Sequence, residues 1–288
     1  MINIDKLFKK LSLGTLESKP VSVSGGILHN VYEVNTTQGK YAVKILNPYI
    51  IKTKHSLQQI EFSETVARIA GNNGANAISA IEFNGKSIQK SDGKNCLIYH
   101  WFEGKSVTPN SVDVDKCAII GKLLAEIHNL DYSSITNKCK DGLVISHKDI
   151  LQKNVLWNKN NIPMIIDWES AGYINPNLEL LDTALFWSGG HKDIPDTKAF
   201  NSFIKSYFDN GGCPIGEMNR IFLERFINKL EWLEFNVKKS LGIDCDDINE
   251  QNEGSRYAKK AIESIHHYNE IMPILMEMFK TAINQSTS

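Results

Sequence analysis

Residues 144–167 read VISHKDILQKNVLWNKNNIPMIID. Two short apolar runs, VLW and IPMII, flank an NKNN turn, and a loop carrying His147, Lys148, Asp149 and Asn154 precedes them. The reading is loop plus hairpin, set in a part of the chain that is otherwise helical. Asp149 is a carboxylate able to orient a hydroxyl and take its proton. Asn154, five residues on, brings an amide oxygen suited to a hard cation. Asp167 closes the apolar run that starts at Pro163. A buried unpaired carboxylate is costly, so Asp167 either faces a cation or caps the turn at Trp168 and Glu169.

These are the parts phosphoryl transfer needs: a base, and oxygen ligands that hold Mg²⁺ against nucleotide phosphates. By composition, only about 0.04 matches to a His-x-Asp-x₄-Asn spacing are expected by chance. His147 reads better as a loop-holding residue than as a base. Upstream, Lys44 ends the run Tyr41-Ala42-Val43, where a lysine can grip α- and β-phosphates if a helix carboxylate steadies it. The helical stretch 55–70 offers Glu61 and Glu64. Glu61 is preferred, because Val66 and Ile69 then follow at core offsets. Ser24-Gly25-Gly26 joins two strand runs; its backbone N–H groups can fold over phosphates, or it is a plain hairpin turn.

Outward from this loop the chain changes character once. Residues 21–26, 30–36, 40–46 and 95–102 are short β-branched runs around the single helical stretch 55–70. After Gly104, helical periodicity covers 113–130, 177–187, 196–208, 217–241 and 255–283. The expectation is two lobes, 1–103 and 104–288, with a hinge near Phe102–Gly104 and the ligand cleft at that boundary.

The sequence has 288 residues and a formal net charge of -1, so no bulk field draws nucleic acid or an anionic membrane. Five scattered cysteines form no C-x-x-C pair, which argues against disulfides and a zinc site. No run reads as a signal peptide or a membrane span, so the expected setting is the cytoplasm, with no obligate protein partner.

Taken together, SGGILHNVYEV (24–34), AVKI (42–45), LIYHWFEGKSV (97–107), GKLLAEIHNLD (121–131), SHKDILQKNVLW (146–157) and IIDWESAGYINPNLELLDTA (165–184) resemble the aminoglycoside phosphotransferase/choline kinase-like family. That resemblance implies an α+β class and a bilobal protein-kinase-like fold. The N-lobe would be a small antiparallel sheet with one helix, and the C-lobe larger and mainly helical. It implies Asp149 as catalytic base, Asn154 and Asp167 as Mg²⁺ ligands, Lys44 as phosphate lysine with Glu61 as its partner, and Ser24 and Gly26 over the phosphates. It places the purine of ATP or GTP on main-chain groups of His100 and Phe102, with Tyr99 behind the base. Lys148, Leu151-Gln152-Lys153 and Glu179 depart from the family's usual residues.

A cationic acceptor such as an aminoglycoside needs carboxylates in the helical part. Candidates are Glu231 and Glu234 beside Trp232, and the acidic stretch 244–253, which also reads as a solvated loop. The leading expectation is a kinase for an aminated sugar. A metabolic kinase for an amino alcohol or sugar follows, and a catalytically silent nucleotide-binding protein comes last.

Overall fold

Burial alternates residue by residue at 34–36 and 41–45, the mark of strands with one face on a core. In the computed structural model, which describes residues 2–23, 29–48, 50–51, 53–108, 112–136, 142–189, 194–243, 245 and 247–286, the chain divides into two compact units. Unit 1 holds residues 1–107, 130–139 and 145–173; unit 2 holds 108–129, 140–144 and 174–288.

Unit 1 opens with α1 (Ile4–Lys10), absent from the sequence reading, started by Asn3 accepting from the Lys6 N–H. Next come β1 (Val21–Val23), β2 (Asn30–Thr36) and β3 (Gly39–Ile45). After α2 (Lys54–Asn72) follow β4 (Gln89–Ser91) and β5 (Lys94–His100). They form an antiparallel sheet of order β1-β2-β3-β5-β4. Tyr41, Val43, Ile45, Cys96 and Ile98 share one face and pack with Leu7 and Phe8 of α1. The other face carries Ala42 and Lys44, paired with Tyr99 and Leu97 across the ladder. Leu97 there packs with Ile60 of α2 and Ala80. A Thr53–Ser56 capping box starts α2, and its buried residues are Ile60, Ser63, Glu64, Val66, Ala67 and Ala70.

The remaining strands are β6 (Lys105–Ser106), β7 (Val144–Ser146), β8 (Val155–Trp157), β9 (Pro163–Ile165) and β10 (Gly172–Ile174). β6, β8 and β9 pair antiparallel, with the expected turn between β8 and β9. Sequence placed residues 145–173 with the helical part. They group instead with the early part of the chain, and Ile165 bonds to 76–78: its N–H to Asn76 O at 2.7 Å, and Ile78 N–H to its O at 3.0 Å.

Unit 2 is helical: α3 (Val114–His128), α4 (Pro176–Trp187), α5 (Thr197–Asp209), α6 (Met218–Ser240) and α7 (Ile248–Ser286). α3 and α5 pack closely at Gly121, where a Cβ would lie 2.3 Å from the Phe203 carbonyl oxygen. No helix among the described residues is long and apolar enough to cross a membrane.

Candidate functional site

The loop after β7 is fastened by a histidine. Asp149 N–H donates to His147 Nδ1 at 3.1 Å, so Nδ1 carries no proton and Nε2 donates to Ile166 O at 3.0 Å. The ring is buried, edge-on to Trp168 at 4.7 Å. His147 therefore clamps the segment at 147–149 to the one at 166–168, the structural role read for it. Asn154 closes the loop from the other side, its Nδ2 donating to the Asp149 carbonyl and to Asp149 Oδ2, both at 2.8 Å. Its Oδ1 is thereby left as the acceptor. Ile166 N–H donates to Asn154 O at 2.9 Å, which sets Asp167 next to this amide.

Asp149 is partly buried, and burial raises its pKa; Lys153 and the Asn154 hydrogen bond pull the other way, and Asp167 adds to the rise. A base that holds a proton more readily than a free carboxylate suits abstraction from a hydroxyl. The cation beside it is Lys153, at 3.7 Å from Oδ2. Lys148 is exposed, in a left-handed backbone at φ +69°, with its stem near Gly172.

Asp167 lies two residues beyond β9. It sits at the cap position of the 3-10 turn Trp168–Ser170, yet its side chain makes no capping bond. Its backbone is left-handed at φ +64°, a conformation that Asp and Asn adopt more readily than other non-glycine residues. Oδ1 accepts from Lys44 Nζ at 2.7 Å. Lys44 also meets Glu169 Oε1. Burial works against the Lys44 charge, but these two carboxylates more than offset it and its pKa rises. Glu169 responds in kind. Burial opposes its ionisation, but His29 and Lys44 overcome that and hold its carboxyl at about 2. His29 Nδ1 accepts from Asn47 N–H at 2.9 Å, so Nε2 donates to Glu169 Oε2 at 3.2 Å.

Glu61 is not the partner of Lys44. Its two oxygens are taken by the N–H groups of Ser87 and Ile88, at 3.0 and 2.9 Å. The helix carboxylate that feels the Lys44 charge is Glu64, buried and bonded by Tyr99 Oη and Ala80 N–H, both at 2.6 Å. Burial raises the Glu64 pKa, with Lys44 acting to lower it. Sequence reading passed over Glu169 as well, although D-W-E places it two residues after Asp167.

Backbone groups alternate in direction along the end of β5. Trp101 N–H donates to Lys40 O, and Leu46 N–H to Asn95 O, so odd residues 95–101 turn their backbone groups toward β3. His100 turns its own away from β3. Gly104 is needed just beyond: a Cβ there would lie 2.6 Å from the Phe102 ring. Tyr99 is half-buried, and desolvation first, then Glu64, Glu169 and Asp167, push its phenol up. Ser24 and Gly26 lie outside the described residues, as do Asp244 and Asp246 of the acidic stretch.

Glu231, Trp232 and Glu234 lie on the exposed side of α6. Glu234 is engaged by Lys238 at 2.6 Å, and Trp232 stacks on Phe235 with centroids 5.5 Å apart. His128 ends α3, buried between Glu179 at 3.0 Å and Tyr207 Oη at 2.8 Å. Among the described residues no cluster of three His, Cys, Asp or Glu side chains could hold a metal alone. Asn154 and Asp167 form a partial oxygen set, of the kind completed by a ligand's phosphates and water.

No protein-family model matches the sequence, and no curated protein does. Solved structures do. Spectinomycin phosphotransferase APH(9)-Ia, in complex with ADP and spectinomycin, is 14% identical with a TM-score of 0.67, over 91% of this chain and 96% of that one. Choline kinase LicA from Streptococcus pneumoniae is 16% identical, with a TM-score of 0.61 over 91% and 97%. Macrolide 2'-phosphotransferase MphH from Brachybacterium faecium is 10% identical, with a TM-score of 0.61 over 88% and 97%. The chain has their protein-kinase-like fold: a small antiparallel sheet with a helix toward the N-terminus, and a larger helical part after it.

Proposed function

We propose that this protein is a small-molecule O-phosphotransferase that moves the terminal phosphoryl group of ATP or GTP to an acceptor hydroxyl. The observation that carries this is the closed loop in which Asn154 bonds Asp149 while Asp167, turned by a left-handed backbone, meets Lys44. Asp149 is the base: its carboxylate takes the hydroxyl proton as the oxygen attacks the terminal phosphorus and the nucleoside diphosphate leaves. Lys44 is already charged, and the triphosphate draws it from Asp167 and Glu169 onto the α- and β-phosphates. Asn154 and Asp167 would hold Mg²⁺, which when bound neutralises charge on the phosphates. His29 and Glu64 position the groups around them, through Glu169 and Tyr99 respectively. Main-chain groups of His100 and Phe102 receive the purine, with Tyr99 behind it.

The acceptor proposed is small and cationic, of the aminoglycoside kind, which would make the reaction one of antibiotic inactivation. Glu231 and Trp232, exposed on α6, support it, and the spectinomycin phosphotransferase shares the fold. A kinase for an amino alcohol or a sugar is the alternative, since a choline kinase shares that fold too. A cytoplasmic setting belongs to this reading, with Cys96, Cys117, Cys213 and Cys245 all free thiols.

The test is a nucleotide-consumption assay with Mg²⁺ and either ATP or GTP, run against aminoglycosides, amino alcohols and sugars. Turnover that needs both an acceptor and Asp149 is expected. Mg²⁺-independent nucleotide binding, with no turnover on any acceptor, would leave a silent nucleotide-binding protein instead.

A further inference from the structure

Two cations meet inside unit 2 with one carboxylate between them. Arg225 of α6 is 6% exposed, and its Nε donates to Asp182 Oδ1 of α4 at 2.5 Å. Its guanidinium lies over the Tyr268 ring of α7, 4.5 Å from the centroid, while the Tyr268 phenol donates to Phe222 O at 3.1 Å. Lys229, one turn further along α6, reaches the same ring at 5.4 Å. The hydrogen bond of its ammonium goes to Ser264 Oγ at 2.7 Å, and among the described residues no carboxylate lies within ion-pairing distance of it.

The charge count is therefore two against one in a partly buried place. Burying a cation without a counter-charge is costly, and the cost appears directly: burial, then Arg225, push the Lys229 ammonium down to about 8, with Asp182 giving partial relief. The Tyr268 ring offers both cations a π face, which compensates less than a full negative charge. The guanidinium keeps N–H hydrogens beyond the Nε–H used on Asp182, and a planar fork of that kind fits two-oxygen anions. Solvated surface lysines do not arise this way. Here a buried arginine is fixed in place by its own carboxylate, and a lysine without one is oriented by a serine.

We propose that Arg225 and Lys229, held by Asp182 and Ser264, form a binding site for a carboxylate or phosphate group. The anion would bridge the guanidinium and the ammonium over the edge of Tyr268. It can come from an acidic group on the acceptor or from a free anion, and the site does not depend on the protein being a phosphotransferase.

The experiment uses inorganic phosphate as the probe on the full chain, without nucleotide. Melting temperature is followed against phosphate concentration at ionic strength matched with chloride. A saturable rise is expected in the wild type. Lys229→Met keeps the Arg225–Asp182 pair and should weaken phosphate binding about 10- to 100-fold, the effect of losing one charge-assisted contact. Lys229→Arg should restore it, which loss of packing alone would not explain. Nucleotide affinity should be the same in all three proteins. If the anion is borne by the acceptor, Lys229→Met raises KM for acidic acceptors alone and leaves kcat in place. If it is free, phosphate alters turnover on neutral acceptors too. A phosphate effect that does not saturate in the wild type, or that survives intact in Lys229→Met, overturns the proposal.

Discussion

Lys44→Met puts the charge balance around Asp167 and Glu169 to a quantitative test. The Lys44 side chain is 11% exposed and meets both carboxylates. Glu169 is held at about 2 against an ordinary 4.5, with burial opposed and overcome by His29 and Lys44. At about 1.4 kcal/mol per pH unit, that corresponds to roughly 3 kcal/mol in favour of the carboxylate. His29 supplies part of it, and Asp167, 40% exposed, can rehydrate once the ammonium is gone. Loss of Lys44 should therefore cost about 2 kcal/mol, below the usual range for halving a fully buried pair. The sign with pH follows from the lowered pKa. The Glu169 contribution is complete above pH 4.5 and is lost as pH falls toward 2, so the variant should lose less stability across that window. Urea unfolding followed by tryptophan fluorescence, in EDTA and without nucleotide, measures both. Lys44→Met/Glu169→Gln should recover part of the loss, a coupling of about 1–2 kcal/mol in the double-mutant cycle. A Lys44→Met protein within about 0.5 kcal/mol of wild type at pH 7, or losses that simply add, would refute the reasoning.

Asp149→Asn should lower turnover about 10²- to 10⁴-fold while nucleotide affinity stays level, because the base goes and the residues proposed for Mg²⁺ stay. Asp167→Ala should remove the Mg²⁺ dependence of nucleotide binding, read by calorimetry with a nonhydrolysable analogue; an unchanged dependence would exclude Asp167 from the metal. GTP should serve at least comparably with ATP, and Tyr99→Met should move the kcat/KM ratio toward ATP. A strong ATP preference unaltered by the substitution would remove Tyr99 from the purine pocket. Cys96 and Cys117, fully buried with thiols pushed up to about 12 by burial, should resist a disulfide reagent at pH 8 in the native protein. Prompt labelling of either would contradict their burial.

The elements legible in the sequence were those with a long period or a sharp local signal. Helices α2 to α7 follow from apolar spacing, and the β8–β9 hairpin from its turn residues. The short α1 escaped because seven residues give only two turns of periodicity, and its stability comes from packing Leu7 and Phe8 under the sheet. The grouping of 145–173 was equally invisible. Among its ties are backbone bonds between Ile165 and 76–78, and backbone bonds leave no mark on side-chain pattern.

The Lys44 partner shows where pattern stops informing. Glu61 and Glu64 stand one turn apart on α2, and both lie near its inward side. What separates them is the neighbouring chain. Ser87 and Ile88 present two N–H groups that consume Glu61, whereas the β5 ladder puts Tyr99 on the Lys44 face, next to Glu64. Neither carboxylate then needs to reach the lysine, because Glu169 arrives from the turn after β9. That turn can deliver it only because Asp167 takes a left-handed backbone. Asn and Asp tolerate that conformation better than most side chains, so the residue proposed to bind the cation also suits the bend that brings the second carboxylate in. A lysine held by two carboxylates from one turn keeps its charge without a helix partner, and α2 is left to build the wall behind it.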